Sequence, residues 1–365
     1  MTDVSAPNRL DGPARTLDTA LRELEGRDAF SGVVRVTVGG EEHFGRAYGP
    51  ASRAWHIPNT LETRFDTASI TKLFTAVVTL QQIDAGSFDL ETSAIDYLGL
   101  QGTAISPAVT VRQLLSHSSG IGDDADEEAG ERYEDVFVAR PNYSVTETAD
   151  FLPQFVHRAP NFAPGTGVRY NNCAYVLLGL MVEQATGRTY REIVRERVFE
   201  PAGMRDADFL RMDRVNERLA EGADPIRDDA GTLVGWKRNI YSYPPIGSPD
   251  GGAHVTAADL DAFVRAVTAG GLLSETMTAA FVTPQVPYRV HGGWTEHWGF
   301  GPSFRVDDSD TVVYLQKGGS NAGVGGIVRH YPARDLTLVM LSNIEDAVDE
   351  PIDDIETLIA SGAFD

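Results

Sequence analysis

Strand patterns stand at the two ends of this chain, and helical patterns fill its middle. Near the start, FSGVVRVTVGGEEHFGRAYG alternates around Gly39–Gly40, which predicts a hairpin. Towards the end, WGFGPSFRV, TVVYLQK, GVGGIVRHYP and LTLVMLSN follow one another closely. Short turns predicted at 318–322 and 332–335 make the last three an antiparallel meander. Strands at both ends with helices between imply one antiparallel sheet built from both termini, flanked by helices and interrupted by a mostly helical insertion. The expected class is α/β (α+β). The expected organisation is a single catalytic domain over 1–365, with an α/β lobe of about 1–90 and 250–365 and a helical lobe of about 91–249.

Within that frame, 14–26 reads as an amphipathic helix closed by Gly26. A second helix is predicted over 69–85, with Thr67 as N-cap and Gly86 as its stop. Further helical stretches are 109–116, 144–157, 173–186 and 189–200, and Thr256 with Asp259 three residues on caps another. A final amphipathic segment covers 350–361. The acidic run GDDADEEAGERYEDV at 122–136 is read as a solvated excursion, the usual fate of a charge run, with covering of a site as the open alternative.

Composition excludes several function classes. A formal charge of −22 argues against nucleic acid and anionic membrane surfaces as partners. The single cysteine, Cys173, allows neither an internal disulfide nor a cysteine metal cluster. The first residues show no basic segment followed by an apolar one, and no apolar stretch is long enough to span a bilayer. A soluble, cytoplasmic protein is the expectation. Of the 31 basic residues only three are lysine, Lys72, Lys237 and Lys317. Arginine cannot give up its proton whereas a desolvated lysine can, so these few lysines are candidates for positions where arginine fails.

Three short stretches carry potential chemistry. Ser69-Ile70-Thr71-Lys72 opens an apolar helix, so the serine and lysine share a face. The helix N-terminus favours a developing alkoxide, and the apolar run LFTAVVTL should lower the lysine pKa. Tyr170 and Asn172 stand just before a buried helix in FAPGTGVRYNNCAYVLLGLMVEQATG, and two nearby lysines would lower the phenol pKa. Lys317-Gly318-Gly319-Ser320 ends a strand where glycines let a substrate approach the backbone.

In this order and spacing the three stretches resemble the serine β-lactamase and penicillin-binding-protein superfamily, in its class C-like branch. That branch includes class C β-lactamases, D-Ala-D-Ala carboxypeptidases, D-aminopeptidases and family VIII esterases. LLSHSSGI, APGTGVRYNN, FEPAGMRDA and GGAHVTAADLDAF are similar to further landmarks of that group, so the likeness covers roughly 30–345. Asn171 departs from the usual serine inside the second motif, and Lys317 stands where many esterases of the branch carry His or Trp.

The resemblance implies a β-lactamase/transpeptidase-like fold and a cofactor-free, metal-free acyl hydrolase. By it, Ser69 forms an acyl-enzyme with an ester, amide or short-peptide substrate. Tyr170, poised by Lys72 and Lys317, exchanges the proton; whether Lys72 or Tyr170 is the base stays open at this point. Asn172 positions Lys72, while Lys317, Gly318, Gly319 and Ser320 bind substrate, with the N–H groups of Ser69 and Ser320 as oxyanion donors. A lysine at 317 is similar to enzymes that bind a substrate carboxylate. An acyltransferase using the same intermediate, or a binding protein on a retired hydrolase fold, is the alternative. His117 is expected to brace the fold, His291 and His297 to flank a loop without a metal, and Cys173 to pack. Oligomeric state is left open.

Overall fold

The computed structural model describes residues 12–364, so 1–11, read above for a leader, and Asp365 lie outside the described residues. An eight-stranded antiparallel sheet crosses the molecule. Its strands are β1 (Gly32–Val38), β2 (Glu41–Tyr48), β3 (Val286–His291), β4 (Trp294–Trp298), β5 (Ser303–Asp307), β6 (Val312–Asn321), β7 (Val324–Tyr331) and β8 (Leu336–Ser342). They stand in the order β2-β1-β8-β7-β6-β5-β4-β3. The two ends of the chain meet where β1 pairs with β8, from Gly32 opposite Ser342 to Val38 opposite Leu336.

Side-chain alternation serves both faces of that seam. Val34, Val36, Leu338 and Met340 pack with Leu17 and Leu21 of α1 (Gly12–Gly26) and with Ile355 of the C-terminal helix. Val33, Val339 and Leu341 join the other core, which contains α2 (Lys72–Asp84), α3 (Cys173–Thr186) and α4 (Ala257–Thr268). Because both faces are covered, LTLVML reads as a continuous apolar run. The last helix, α5 (Asp349–Ala360), lies within two residues of its expected span.

Buried from Lys72 to Leu80, α2 has the composition of a helix enclosed on all sides. Phe74 meets Phe199 and Phe263 edge-on, with ring centroids 5.1 Å and 4.9 Å away. α4 begins in a capping box of Thr256 and Asp259, as the sequence predicts. Among the described residues no helix is long and apolar enough to cross a membrane.

Several local expectations are corrected. Residues 68–71 form a 3-10 turn ahead of α2, and Thr67 does not cap it; its hydroxyl meets Thr71 Oγ1 and the Ala253 carbonyl. The stretch 144–157 divides into short turns, whereas 189–200 is helical from Tyr190 onward as expected, with a π segment at Arg195–Phe199. The middle of the chain also holds an unforeseen hairpin, Ala223–Arg227 with Leu233–Arg238. The segment 288–297 is not a loop but most of the β3–β4 hairpin.

The turn placed at 318–322 is shorter than expected, because β6 runs on to Asn321. Gly319 explains why. A β-carbon there would lie 2.2 Å from the Thr67 carbonyl and 3.0 Å from the Ser69 amide nitrogen. The strand is thus pressed against the 3-10 turn. One residue earlier, a β-carbon at Gly318 would meet nothing nearer than 3.8 Å. Gly319→Ala should therefore cost about 1–3 kcal/mol in a urea denaturation, while Gly318→Ala should stay within about 0.5 kcal/mol of the parent. Equal losses in the two variants would contradict this packing.

Candidate active site

Phe65–Asp66 pairs with His254–Val255 in a two-residue ladder and delivers the chain to the Ser69 turn. Ala68, just before Ser69, is forced to φ +40°, where a side chain is disfavoured. Two bonds hold it there: Ala68 N–H donates to Asp66 Oδ1 (2.7 Å), and Gly252 N–H donates to the Ala68 carbonyl (3.3 Å).

Around Ser69 the structure brings together most of the residues singled out in the sequence. Lys72 Nζ stands 3.0 Å from Ser69 Oγ and donates to Asn172 Oδ1 (2.7 Å) and the Asp250 carbonyl (2.6 Å). Tyr170 O–H donates to Ser69 Oγ at 2.6 Å. Lys317 Nζ lies 4.6 Å from the Tyr170 ring centroid and 4.7 Å from that of Trp298. The β5 ladder reaches β6 only as far as the Ser303–Gln316 pair, so Lys317–Asn321 runs beyond it. Ser320 Oγ donates to Asp346 Oδ1 at 2.5 Å. The third lysine, Lys237, is a surface residue 3.5 Å from Glu134.

Electrostatics correct one expectation. The two lysines do not lower the Tyr170 phenol. Burial, with Glu127 next in weight, pushes its pKa well above the ordinary value. Burial also lowers Lys72, against the opposing pull of Asp250 and Glu127. Lys317 falls further, through burial and then repulsion from Lys72. The enclosure favours the neutral form of all three.

The acidic run is the larger correction. Instead of projecting into solvent, it wraps the second motif residue by residue. Arg169 Nη2 pairs with Asp126 (2.6 Å), Tyr170 N–H donates to Glu128 (2.8 Å), and Asn171 Nδ2 donates to the Ile121 carbonyl (3.0 Å). Asp123 then takes Asn172 N–H (2.8 Å) and Cys173 N–H (3.1 Å) on its two oxygens, neutralising the amino end of α3. Asn172 Nδ2 donates to Glu127 at 3.0 Å. Charge runs are ordinarily solvated, and nothing in the run itself signals that its acids answer backbone N–H groups 42, 49 and 50 residues away.

His117 supports the same motif. Its ring Nδ1 accepts from Asn171 N–H (3.2 Å), its carbonyl accepts from Arg169 N–H (2.9 Å), and its ring lies against Tyr170 and Trp298. Trp298, absent from the sequence-based site, packs on both Tyr170 and Lys317. His291 stacks on Trp294, and His297 Nδ1 lies 3.4 Å from the Thr295 carbonyl. Asp123, Asp124 and Cys173 place ligand atoms within 4.8 Å of one another, the one such group among the described residues. Both Asp123 oxygens already accept backbone bonds and burial raises the Cys173 thiol, so the group does not suit a metal ion.

Burial pushes Asp123 up to about 6, and Asp124, which also faces Asp123 and Asp250, higher. An acid with a raised folded-state pKa favours the folded chain fully below its ordinary pKa of about 4. That contribution is lost as pH rises through about 6 and above. Asp124→Asn has no charge to bury. Its urea midpoint should fall less between pH 5 and pH 8 than that of the parent. Parallel curves would refute the assignment.

Residues 17–361 match the family model described as Beta-lactamase. The crystal structure of a penicillin-binding protein from Bacillus halodurans superposes with a TM-score of 0.85 at 34% identity, covering 94% of this chain and 99% of that one. Esterase EstB of Burkholderia gladioli is 29% identical over 92% of this chain and 90% of its own. Penicillin-binding protein 4 of Amycolatopsis lactamdurans is 26% identical over 81% of this chain and 76% of its own. The match extends from α1 into α5 and takes in every segment that meets at Ser69, so the chain belongs to the Beta-lactamase family.

Proposed function

We propose that this protein, a serine hydrolase of its family, cleaves small esters or amides through an acyl-enzyme on Ser69 Oγ. The observation that carries the reading is the pair of part-buried contacts at that oxygen, Lys72 Nζ at 3.0 Å and Tyr170 O–H at 2.6 Å, with the Lys72 side chain itself enclosed. A neutral lysine has two N–H donors. Asn172 Oδ1 and the Asp250 carbonyl use both, which turns the lone pair toward the Ser69 hydroxyl. Lys72 is therefore assigned as the base and Tyr170 as the acid.

The cycle balances. Ser69 gives its proton to Lys72 as Oγ bonds the carbonyl carbon, and the tetrahedral oxygen takes charge between the N–H groups of Ser69 and Ser320. The close approach of β6 to the Ser69 turn at Gly319 supports that pairing of donors. As the bond to the leaving group breaks, the leaving atom takes the Tyr170 proton. This leaves a phenolate beside two amines, one of them now an ammonium. Water then gives a proton to the phenolate and attacks the acyl carbon. Ser69 Oγ departs with the proton from Lys72, restoring the starting state. Asn172 holds Lys72 in place, Lys317 favours the phenolate, and the β6 edge at Gly318 receives the substrate backbone.

A fluorophosphonate separates the two roles, because fluoride leaves without a proton. Intact-mass measurement should show one adduct on the parent and none on Ser69→Ala or Lys72→Arg. Tyr170→Phe should still be labelled, while its turnover of an amide falls by about 10²–10⁴-fold. Labelling lost as fully in Tyr170→Phe as in Lys72→Arg would make the tyrosine the base. An unlabelled, well-folded parent would overturn the acyl-enzyme itself.

A further inference from the structure

The cavity that opens beside Ser69 has an apolar wall of Leu210, Met212, Pro244 and Ile246. Its ionisable lining includes Asp66, Glu127, Asp250 and His254, with no lysine or arginine among the described residues. Asp250 is already occupied, since Oδ1 accepts from Ser248 Oγ (2.6 Å) and Oδ2 from Tyr133 O–H (3.3 Å). Glu127 stands exposed at the mouth, accepts from Asn172 Nδ2 on Oε1, and shares the field of Lys72 and Lys317.

Asp66 and His254 face each other across the two-residue ladder. Among the described residues, the charge of His254 and then the Ala68 N–H favour ionised Asp66, and burial outweighs them. His254 is itself held toward its neutral form by burial, with Arg64 and Asp208 acting on it in opposite senses. It is 6% exposed, and its ring Nδ1 has no hydrogen-bond partner. A half-buried carboxylate that faces no lysine or arginine in the described cavity lining and a buried ring nitrogen without a partner are both costly. They lie in one cavity. A carboxylate entering it would meet like charge, whereas an ammonium would satisfy Asp66 and His254 together and be drawn in past Glu127.

We propose that this cavity binds a protonated primary amine carried on an apolar acyl group. The substrates are then esters or amides of amino acids whose amine is free. The inference deepens the acyl-enzyme reading and rests on it.

The test compares kcat/KM for the D- and L-phenylalanine p-nitroanilides with that for their N-acetylated forms, alongside fluorophosphonate labelling and p-nitrophenyl acetate turnover. For at least one enantiomer, the free amine should be favoured by about tenfold or more, as expected for a hydrogen-bonded charge. Asp66→Asn, which keeps an acceptor for Ala68 N–H, and Glu127→Gln should each bring that ratio toward one. Both variants are judged by the ratio within one preparation, so a general loss of activity does not imitate the effect. Equal or preferred cleavage of the capped forms, or no cleavage of either free-amine anilide, overturns the inference if Ser69 is labelled and p-nitrophenyl acetate is turned over. If Ser69 is not labelled, the acyl-enzyme reading has failed and takes this inference with it.

Discussion

Three distant parts of the chain meet at one buried nitrogen. Lys72 Nζ reaches Ser69 from its own turn, Asn172 from the head of α3, and the Asp250 carbonyl from the loop before α4. A lysine enclosed in protein is costly unless its donors are matched, and the loss of one partner strands the rest. The same apolar surroundings that make the position expensive also weaken the hold of the lysine on its proton. Enclosure of this one side chain therefore couples the packing of α2 against α3 to the reactivity of Ser69.

The neighbouring segments hold that nitrogen and its partners in place. Gly319 lets β6 lie against the Ser69 turn, and Asp66 holds Ala68 in a conformation its side chain disfavours. The acidic run performs the equivalent task for the second motif. Asp126 engages Arg169, Glu128 engages Tyr170, Glu127 engages Asn172, and Asp123 engages both Asn172 and Cys173. Glu128 also accepts from Tyr288 O–H at 2.8 Å, which ties β3 to the same loop. An acidic surface is thereby turned partly inward, where carboxylates answer backbone N–H groups instead of water.

The outline of the fold was legible because period-two and helical patterns are local properties. Gly39–Gly40 does turn a hairpin, Thr256 and Asp259 do cap a helix, and 173–186 is a helix over its whole expected span. The β3–β4 hairpin was harder to read, since Tyr288, Val290, His291 and His297 mix polar and apolar residues without clear alternation. The hairpin at 223–238 is mostly solvent-facing and carries little pattern at all.

Ser69, Lys72, Tyr170, Asn172 and Lys317 were identified from three short stretches whose order and spacing resemble those of the family, and a nucleophile with its proton-transfer partners needs such functional groups. Which of those groups are neutral was not legible. Burial is a sum over neighbours contributed by the whole chain, and here it raises the Tyr170 phenol that the lysines were expected to lower. The roles of Asp123, Glu127, Trp298 and His254 are hidden for the same reason. Each is an ordinary residue until folding sets it against Asn172, Lys317 or the cavity beside Ser69.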